Sequence, residues 1–311
     1  MSDDPEKLVS GVVGPPVEFS TGGGFQVQAL EFRPILDADR FPTWAHFDGA
    51  LMQVHIGTKA ASSIQGSAVM VAPGIAVGAR HVVEGHLAEI LAERCHVWVT
   101  AVGKSGRLDI WNVRHINMRP ETDIAIFSLV RRSAMPPDDM LTIAVISTRT
   151  PVVGEAIMVA GFRDTAPDTL HAPDANRFGF SGEVRGSVGL VAEVYPVRRD
   201  LGMLNWPCFR ITVGTFSGMS GGPAFDKNGH LVGVLCAGDG PGDGVDSPSY
   251  ISMIYPALWE RFLTAWPNGL YPTETSLLEI DRRMCAIVGG DRVYRGLGLD
   301  GEIQWMYDLW S

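Results

Sequence analysis

Cysteine is scarce in this sequence. The 311 residues contain four cysteines, Cys95, Cys208, Cys236 and Cys285, which lie far apart and include no C-x-x-C pair. Disulfide frameworks and zinc sites need more closely patterned cysteines. We therefore expect four reduced thiols, mostly buried as small apolar groups, and no metal site. The glycine run TGGGF lacks the G-K-[ST] of a phosphate loop, and the sequence predicts no cofactor.

Positive charge and long apolar runs are also missing. The formal net charge is −10 and the isoelectric point is about 5.2, which argues against broad electrostatic binding to nucleic acid. No apolar run approaches the roughly 20 residues that span a bilayer, so we expect no membrane partner. The acidic start MSDDPEKLVS has no basic and apolar signal regions, and we expect a cytoplasmic protein.

Short β-branched runs separated by turn residues dominate the rest of the chain. Apolar residues make up 46% of the sequence, and 36 glycines and 20 prolines punctuate it. The runs are GSAVMVA (66–72), HVWVTAV (96–102), IAIFSLV (124–130), EAIMVAG (155–161), CFRITVG (208–214) and HLVGVLCAG (230–238). This pattern predicts an all-β protein built as a sandwich or barrel. The polar break RRSAMPPDDM (131–140) predicts a linker between two β-domains.

Helical spacing of apolar residues occurs only late in the chain. The run ALWERFLTAW after Pro256 predicts a helix that ends before Pro267. Farther on, Ser276 and Glu279 fit a capping box, and a second helix is expected from there to the glycine pair 289–290. The aromatic end IQWMYDLW (303–310) either packs on the protein or forms a docking surface for a partner.

The stretch FSGMSGGPAF (216–225) surrounds Ser220 with glycines. Ser220 is either the tip of a turn or a nucleophile whose surroundings have been cleared for chemistry. A nucleophilic serine needs a base and a group that orients the base. Of eight histidines, His81 in GIAVGARHVVEG stands at a strand end. In TDIAIFSL, Asp123 heads an apolar strand, where it either caps a turn or orients the histidine.

The motifs of these residues, in the order His81, Asp123, Ser220, resemble those of trypsin-like serine peptidases. G-A-R-H-V-V is similar to T-A-A-H-V-V of that family, T-D-I-A-I-F to its aspartate strand, and G-M-S-G-G-P to its G-[DN]-S-G-G-P. VGEAIMVAGF followed by FSGEVRG further resembles the HtrA-type branch. The resemblance covers roughly residues 48–266, and no PDZ domain follows.

The resemblance implies the chymotrypsin fold, in which two six-stranded antiparallel β-barrels pack together. We expect barrels over residues 46–132 and 133–266, the second with a closing C-terminal helix, and extensions over 1–45 and 267–311.

The resemblance also implies roles for individual residues. Ser220 would attack the scissile carbonyl, His81 would move its proton, and Asp123 would orient the histidine, while the N–H groups of Gly218 and Ser220 would form the oxyanion hole. Alignment with the family puts Gly214 and Thr215 at the base of the specificity pocket, Cys236, Ala237 and Gly238 along one wall, and Ser249 opposite. None is charged, so we expect an apolar or small P1 residue.

Two residues depart from the family pattern. Arg80 replaces the usual alanine before the histidine, and it either points outward or lowers the basicity of the imidazole. Met219 replaces the acid that, in secreted trypsins, pairs with a newly cut N-terminus, which makes activation by such a cut unexpected.

Three functions stay open at this point. The first is a serine endopeptidase that acts on proteins or peptides. The second is a binding module that keeps the scaffold without turnover. The third is an effector protease of a bacterial defence or stress pathway, switched on by an activating protein that binds residues 267–311.

Overall fold

The computed structural model describes most of the chain. The described ranges are 11–12, 26–30, 47–58, 62–103, 108–133, 140–163, 183–238, 248–297 and 303–307. The predicted N-terminal extension, residues 1–45, lies mostly outside these ranges, and its division from the barrels stays a prediction.

The first half of the chain forms a closed antiparallel barrel. Its strands, with two short strands that precede them, are β1 Gly11–Val12, β2 Gln26–Leu30, β3 Leu51–Gly57, β4 Ser62–Ala72, β5 Ile75–Ala79, β6 His96–Val102, β7 Leu108–Met118 and β8 Ile124–Arg131. The strand order is β7-β6-β3-β4-β5-β8, and pairing of β7 with β8 closes the barrel, while β1 adds to β7. Two one-turn helices, α1 Arg80–Glu84 and α2 Leu87–Leu91, link β5 to β6.

The second half forms a second closed barrel. Two short strands, β9 Met140–Ala144 and β10 Ile146–Ser147, precede it, and its own strands are β11 Ala156–Arg163, β12 Glu183–Tyr195, β13 Cys208–Ile211, β14 Pro223–Phe225, β15 Leu231–Gly238 and β16 Ser249–Met253. The barrel runs β14-β11-β12-β13-β16-β15 and closes through β14 and β15. Both barrels thus have six antiparallel strands, which confirms the predicted fold class. Each of the six β-branched runs contains a strand, although residues 212–214 of the run 208–214 lie beyond β13.

Five short strands lie in the part of the chain that follows the second barrel, residues 262–307, called the tail below. They are β17 Phe262–Leu263, β18 Glu274–Thr275, β19 Ile287–Val288, β20 Val293–Leu297 and β21 Ile303–Tyr307. β10 pairs in parallel with both β15 and β19, so it ties the tail to the second barrel. β2 pairs in parallel with β9, and β20 pairs with β21.

Strand β5 lies between the two hydrophobic cores. All five of its residues are buried, because the barrel packs on one face and the neighbouring barrel on the other. Ala76 and Ala79 belong to the core of the first barrel. Ile75 and Val77 belong to the larger core, which also contains residues of the second barrel such as Phe209. A strand covered on both faces reads as a continuous apolar run, as IAVGA does.

The predicted helix after Pro256 is wrong for most of its length. The structure has a 3-10 helix at Tyr255–Trp259, after which Glu260 is extended with ψ of 129°. Phe262 is buried and lies in β17, where it pairs with Thr275 of β18. The apolar spacing therefore serves a turn and a short strand, each of which buries its side chains without an α-helix.

The second predicted helix is also wrong, although its capping residues are in contact. The N–H of Ser276 donates to Oε2 of Glu279 at 3.0 Å, as a capping box requires. Only a 3-10 turn at Leu277–Glu279 follows, because Ile280 is extended with ψ of 139°. Beyond it, the chain forms β19 and a further 3-10 turn at Gly290–Arg292. Burial of Leu277, Ile280 and Cys285 in the large core holds this path.

The structure tests only part of the remaining predictions on the linker, the cysteines and the C-terminal extension. The predicted linker 131–140 includes the last residue of β8 and the first of β9, and its middle, 134–139, lies outside the described residues. Cys208, Cys236 and Cys285 are buried free thiols and Cys95 is half-buried. Binding of an activating protein to residues 267–311 stays a prediction. Among the described residues, no helix is both long and apolar enough to cross a membrane.

Candidate active site

His81 and Asp123 meet because β5 and β8 are neighbouring strands. Ala79 at the end of β5 pairs with Ile124 at the start of β8, so the residues just beyond this pair lie side by side. His81 Nδ1 is 2.8 Å from Asp123 Oδ2. An ionised carboxylate only accepts hydrogen bonds, so Nδ1–H is the donor.

The backbone reinforces this contact. The N–H of His81 donates to Oδ1 of Asp123 at 3.1 Å, and the N–H of Arg80 donates to the carbonyl oxygen of Asp123 at 2.7 Å. Both carboxylate oxygens are therefore engaged. The side chain of Asp123 is 2% exposed and that of His81 is 42% exposed. With Nδ1 held by the buried acid, Nε2 on the opposite ring edge is the nitrogen that remains to exchange a proton.

The serine loop, residues 212–222, carries Ser220 between β13 and β14. The backbone N–H of Ser67 in β4 donates to the carbonyl oxygen of Ser220 at 2.7 Å. A Cβ on Gly66 would lie 2.7 Å both from that carbonyl oxygen and from Val82 in α1. The Ser220 carbonyl thus lies against β4 at a point that also faces Val82 of α1, the helix that contains His81, and only glycine fits at position 66.

Gly221, the residue after Ser220, lies close to the end of β5. Gly221 has a φ of +81°, which favours glycine. A Cβ on Gly221 would lie 2.6 Å from the backbone nitrogen of Ala79. Ser220 therefore lies beside the chain that leads into His81. Among the described residues, the Ser220 hydroxyl makes no hydrogen bond to His81, and the proximity of the two residues follows from these backbone contacts.

The N–H groups of the serine loop divide into bonded and free ones. The N–H of Met219 donates to the carbonyl oxygen of Phe216 at 3.1 Å, and that of Gly221 donates to Leu235 at 2.8 Å. Within the described part of the chain, the N–H groups of Gly218 and Ser220 have no hydrogen-bond acceptor. These two are the donors that the sequence predicts for the oxyanion hole. Alternation of bonded and free N–H groups leaves two donors for a ligand oxygen.

The predicted specificity-pocket residues come together in part. Thr215 Oγ1 lies 3.0 Å from Oγ of Ser249, and Ser249 pairs with Gly238 across β15 and β16. Gly214 is buried beside Thr215, and Ala237 pairs with Tyr250. These contacts join the predicted base to one predicted wall.

Cys236 has a different environment from its neighbours in β15. Its thiol donates to the carbonyl oxygen of Tyr250 at 3.2 Å, and its side chain packs in a small cluster with Trp206 and Cys208. Burial raises the pKa of the Cys236 thiol well above its ordinary value. The thiol is therefore neutral, and its role in the wall is to pack.

Arg80 contacts groups other than the Asp123 carboxylate. Its guanidinium lies 5.4 Å from the centroid of the Trp206 ring, Nη1 donates to the carbonyl oxygen of Arg119 at 3.2 Å, and Nε is 3.6 Å from Oε2 of Glu84. These contacts direct the guanidinium toward Trp206, Arg119 and Glu84, with the side chain 17% exposed, and its effect on the basicity of His81 stays a prediction. No local pattern marks Trp206 as the partner of Arg80, because it lies 126 positions away in an irregular connection.

Met219 is a core residue. Its side chain is fully buried, and its Sδ accepts from the N–H of Phe216 at 3.4 Å. A Cβ on Gly161 in β11 would lie 2.9 Å from Cβ of Met219, so the side chain fills the space between the loop and the second barrel. An apolar group buried there has no means of forming an ion pair with an amine.

The described residues contain no group of three histidine, cysteine or carboxylate side chains that could hold a metal ion.

The fold of two closed six-stranded barrels is that of chymotrypsin-like serine proteases. The family model described as "Trypsin-like peptidase domain" matches residues 66–234, more than half of the chain. The chain belongs to the trypsin-like peptidase family and is a serine protease.

Several solved protease structures are similar in fold. The Rv3671c protease from M. tuberculosis, in its active form, is 17% identical, with a TM-score of 0.49 over 83% of this chain and 97% of that one. The HtrA-type protease AlgW with a tripeptide is 21% identical, with a TM-score of 0.46 over 70% and 62% of the two chains. The MamO protease domain from Magnetospirillum magneticum is 17% identical, with a TM-score of 0.45 over 67% and 93%. No curated protein matches this chain.

Proposed function

We propose that the protein is an endopeptidase that hydrolyses peptide bonds through Ser220, His81 and Asp123. The contact of 2.8 Å between His81 Nδ1 and Asp123 Oδ2, beside the serine loop, carries this proposal. Ser220 attacks the scissile carbonyl while Nε2 of His81 takes its proton, and the protonated histidine then gives that proton to the leaving amine. Asp123 stays ionised, holds the tautomer and stabilises the imidazolium. Water releases the acyl group by the same steps.

Stabilisation of the tetrahedral intermediate falls to the backbone. The N–H groups of Gly218 and Ser220, which have no acceptor among the described residues, donate to the oxyanion. Fixed backbone donors of this kind need no reorganisation when charge develops, and one of them is worth about 10²–10³ in kcat.

The pocket contacts support a P1 residue that is small or apolar. Oγ1 of Thr215, at the predicted base, lies 3.0 Å from Oγ of Ser249, on the predicted opposite side, so one hydroxyl donates to the other. Neither is charged, so a P1 lysine or arginine would lose its hydration without gaining an ionic partner. A short apolar side chain enters with no such cost.

Labelling with a fluorophosphonate tests the nucleophile, and a proteome-derived peptide library tests turnover and P1 preference. We expect the wild-type protein to be labelled on Ser220 and to cut the library after small or apolar residues. Ser220→Ala should fold normally and lose labelling and about 10⁶ in kcat. Ser217→Ala, a change in an exposed serine of the same loop, is the matched control and should keep the label on Ser220.

The same experiment separates a protease from a silent binding module. A folded wild-type protein that is neither labelled nor active on the library would contradict the proposal. Labelling without turnover would support Ser220 as a reactive nucleophile but would contradict the proposed peptide hydrolysis.

A further inference from the structure

Ser67 makes two hydrogen bonds through a fully buried hydroxyl. Its side chain lies in β4 and has 0% exposure. The hydroxyl accepts from the N–H of Phe162 in β11 at 2.8 Å and donates to the carbonyl oxygen of Gly218 at 2.9 Å. An N–H group only donates and a carbonyl only accepts, so the direction of both bonds is fixed. The hydroxyl joins both barrels to the serine loop.

Three successive carbonyl groups of the serine loop are held by these and related bonds. The hydroxyl of Ser67 holds that of Gly218, and the N–H of Ser67 holds that of Ser220 at 2.7 Å. The carbonyl of Met219, between them, accepts from the N–H of Gly222 at 2.8 Å. Ser67 therefore supplies two of the three contacts.

The orientation of these carbonyls sets the orientation of the free N–H groups. In a trans peptide the N–H points opposite to the carbonyl, so the bound carbonyl of Met219 directs the N–H of Ser220. Gly218 has no side chain to restrict its φ and ψ, and its φ is +86°. The hydroxyl of Ser67 fixes the peptide that follows Gly218 and so limits the rotation of the peptide that carries its N–H.

We propose that Ser67 is a positioning residue for the oxyanion hole, which acts by holding the Gly218 carbonyl so that the N–H groups of Gly218 and Ser220 converge on one ligand oxygen. This inference rests on the proposed function. Ser67 touches neither the substrate nor the reacting atoms. Its loss should weaken binding of the transition state more than binding of the ground state, because the oxyanion exists only in the former.

The test compares Ser67→Ala with Ser128→Ala. Ser128 in β8 is also a buried serine, 1% exposed, whose hydroxyl donates to the carbonyl oxygen of Leu263. Each change removes one buried hydroxyl that donates to a carbonyl, and only the first lies at the serine loop. Ser67→Cys keeps the side-chain volume with a weaker donor and serves as the second variant should alanine prevent folding. Thermal unfolding monitors the fold of each variant.

For Ser67→Ala we expect kcat on a peptide substrate to fall about 10- to 100-fold, less than the loss of an oxyanion donor itself. KM should stay within about threefold, and the affinity for a peptide boronic acid, which mimics the tetrahedral state, should fall by the same factor as kcat/KM. Ser67→Cys should show a smaller fall in the same quantities. Ser128→Ala should keep wild-type kcat and boronate affinity.

Two results overturn the inference and leave the proposed function standing. One is an active wild type beside folded Ser67→Ala and Ser67→Cys variants of unchanged kcat and boronate affinity. The other is an equal fall in Ser67→Ala and Ser128→Ala, which would reduce the effect to general stability. A folded wild type without labelling or hydrolysis overturns the proposed function, and the inference with it.

Discussion

The guanidinium of Arg80, the residue immediately before His81, lies over the indole ring of Trp206, 5.4 Å from the ring centroid. Trp206 also packs with Cys236, so the cation links the helix that carries the candidate base to the predicted pocket wall. The side chain of Arg80 is 17% exposed, which strengthens the attraction relative to that of a pair in full solvent.

We predict that this pair stabilises the protein measurably. A double-mutant cycle with Arg80→Ala and Trp206→Leu should give a coupling free energy of about 0.5–2 kcal/mol, since a partly desolvated cation interacts with the ring face. Urea unfolding of the four proteins measures it. Arg80→Lys should recover only part of the stability, because an ammonium does not stack on the indole as a guanidinium does. Additive single effects would contradict the prediction.

Asp123→Asn should slow peptide hydrolysis by about 10⁴ without abolishing it. The amide in place of the carboxylate favours the wrong tautomer of His81 and no longer stabilises the imidazolium. Steady-state kinetics measure the fall. Asp109→Asn is the matched control, because Asp109 is also buried and lies 2.6 Å from Arg131, outside the site. A similar loss of kcat in both folded variants would count against the assigned role.

Gly214→Asp should shift the P1 preference toward lysine and arginine. The new carboxylate would be buried beside Thr215, where a cationic P1 side chain would pair with it. The ratio of kcat/KM for paired lysine and alanine P1 substrates measures the shift. Gly214→Asn, similar in size and neutral, should not change that ratio toward lysine. If the wild-type protein already prefers lysine or arginine, the pocket assignment is wrong.

The stability of the protein should fall with acid in a way that depends on His55. Burial lowers the pKa of His55 in β3 from 6.5 to about 4, while its Nε2 lies 2.9 Å from Oγ1 of Thr100. Between pH 6.5 and pH 4 the unfolded state binds a proton that the folded state does not. The contribution of the neutral His55 to the free energy of unfolding is therefore complete above pH 6.5. It is lost as the pH falls to 4, by about 3 kcal/mol in total.

Unfolding by urea across this pH range checks the His55 prediction. His55→Gln retains a hydrogen-bonding side chain that does not titrate, and the difference between the two pH profiles isolates His55 from other titrating groups. We expect a steeper fall in the wild type. Parallel profiles would show that His55 titrates alike in the folded and unfolded states.

The sequence predicts several barrel strands correctly, but it does not correctly predict the helices or the long-range strand pairing. Six barrel strands were readable because each contains a short apolar run bounded by turn residues, whereas β7 alternates polar and apolar residues and is not one of those runs. The helices after Pro256 and Ser276 were predicted wrongly, because apolar residues three or four apart also reach a core from turns and short strands, as Phe262 does. Parallel pairing of β10 with β19 depends on contacts about 140 residues apart, which no local pattern reports.

Within the site, the same limit applies to single residues. His81, Asp123 and Ser220 were found because each lies in a motif of its own, although their catalytic roles stay predictions. Ser67 and Trp206 were missed because a serine in a strand and a tryptophan in an irregular connection carry no local mark. Their importance comes from partners in other parts of the fold, Gly218 and Arg80.

The double burial of β5 has a consequence for how the protein loses activity. Opening either barrel would expose one face of a strand that the other barrel also needs, so neither core is complete without its neighbour. We infer that the two barrels melt in a single cooperative transition. Because β5 runs directly into His81, that transition would dismantle the candidate base together with the cores, and partially unfolded forms would be inactive.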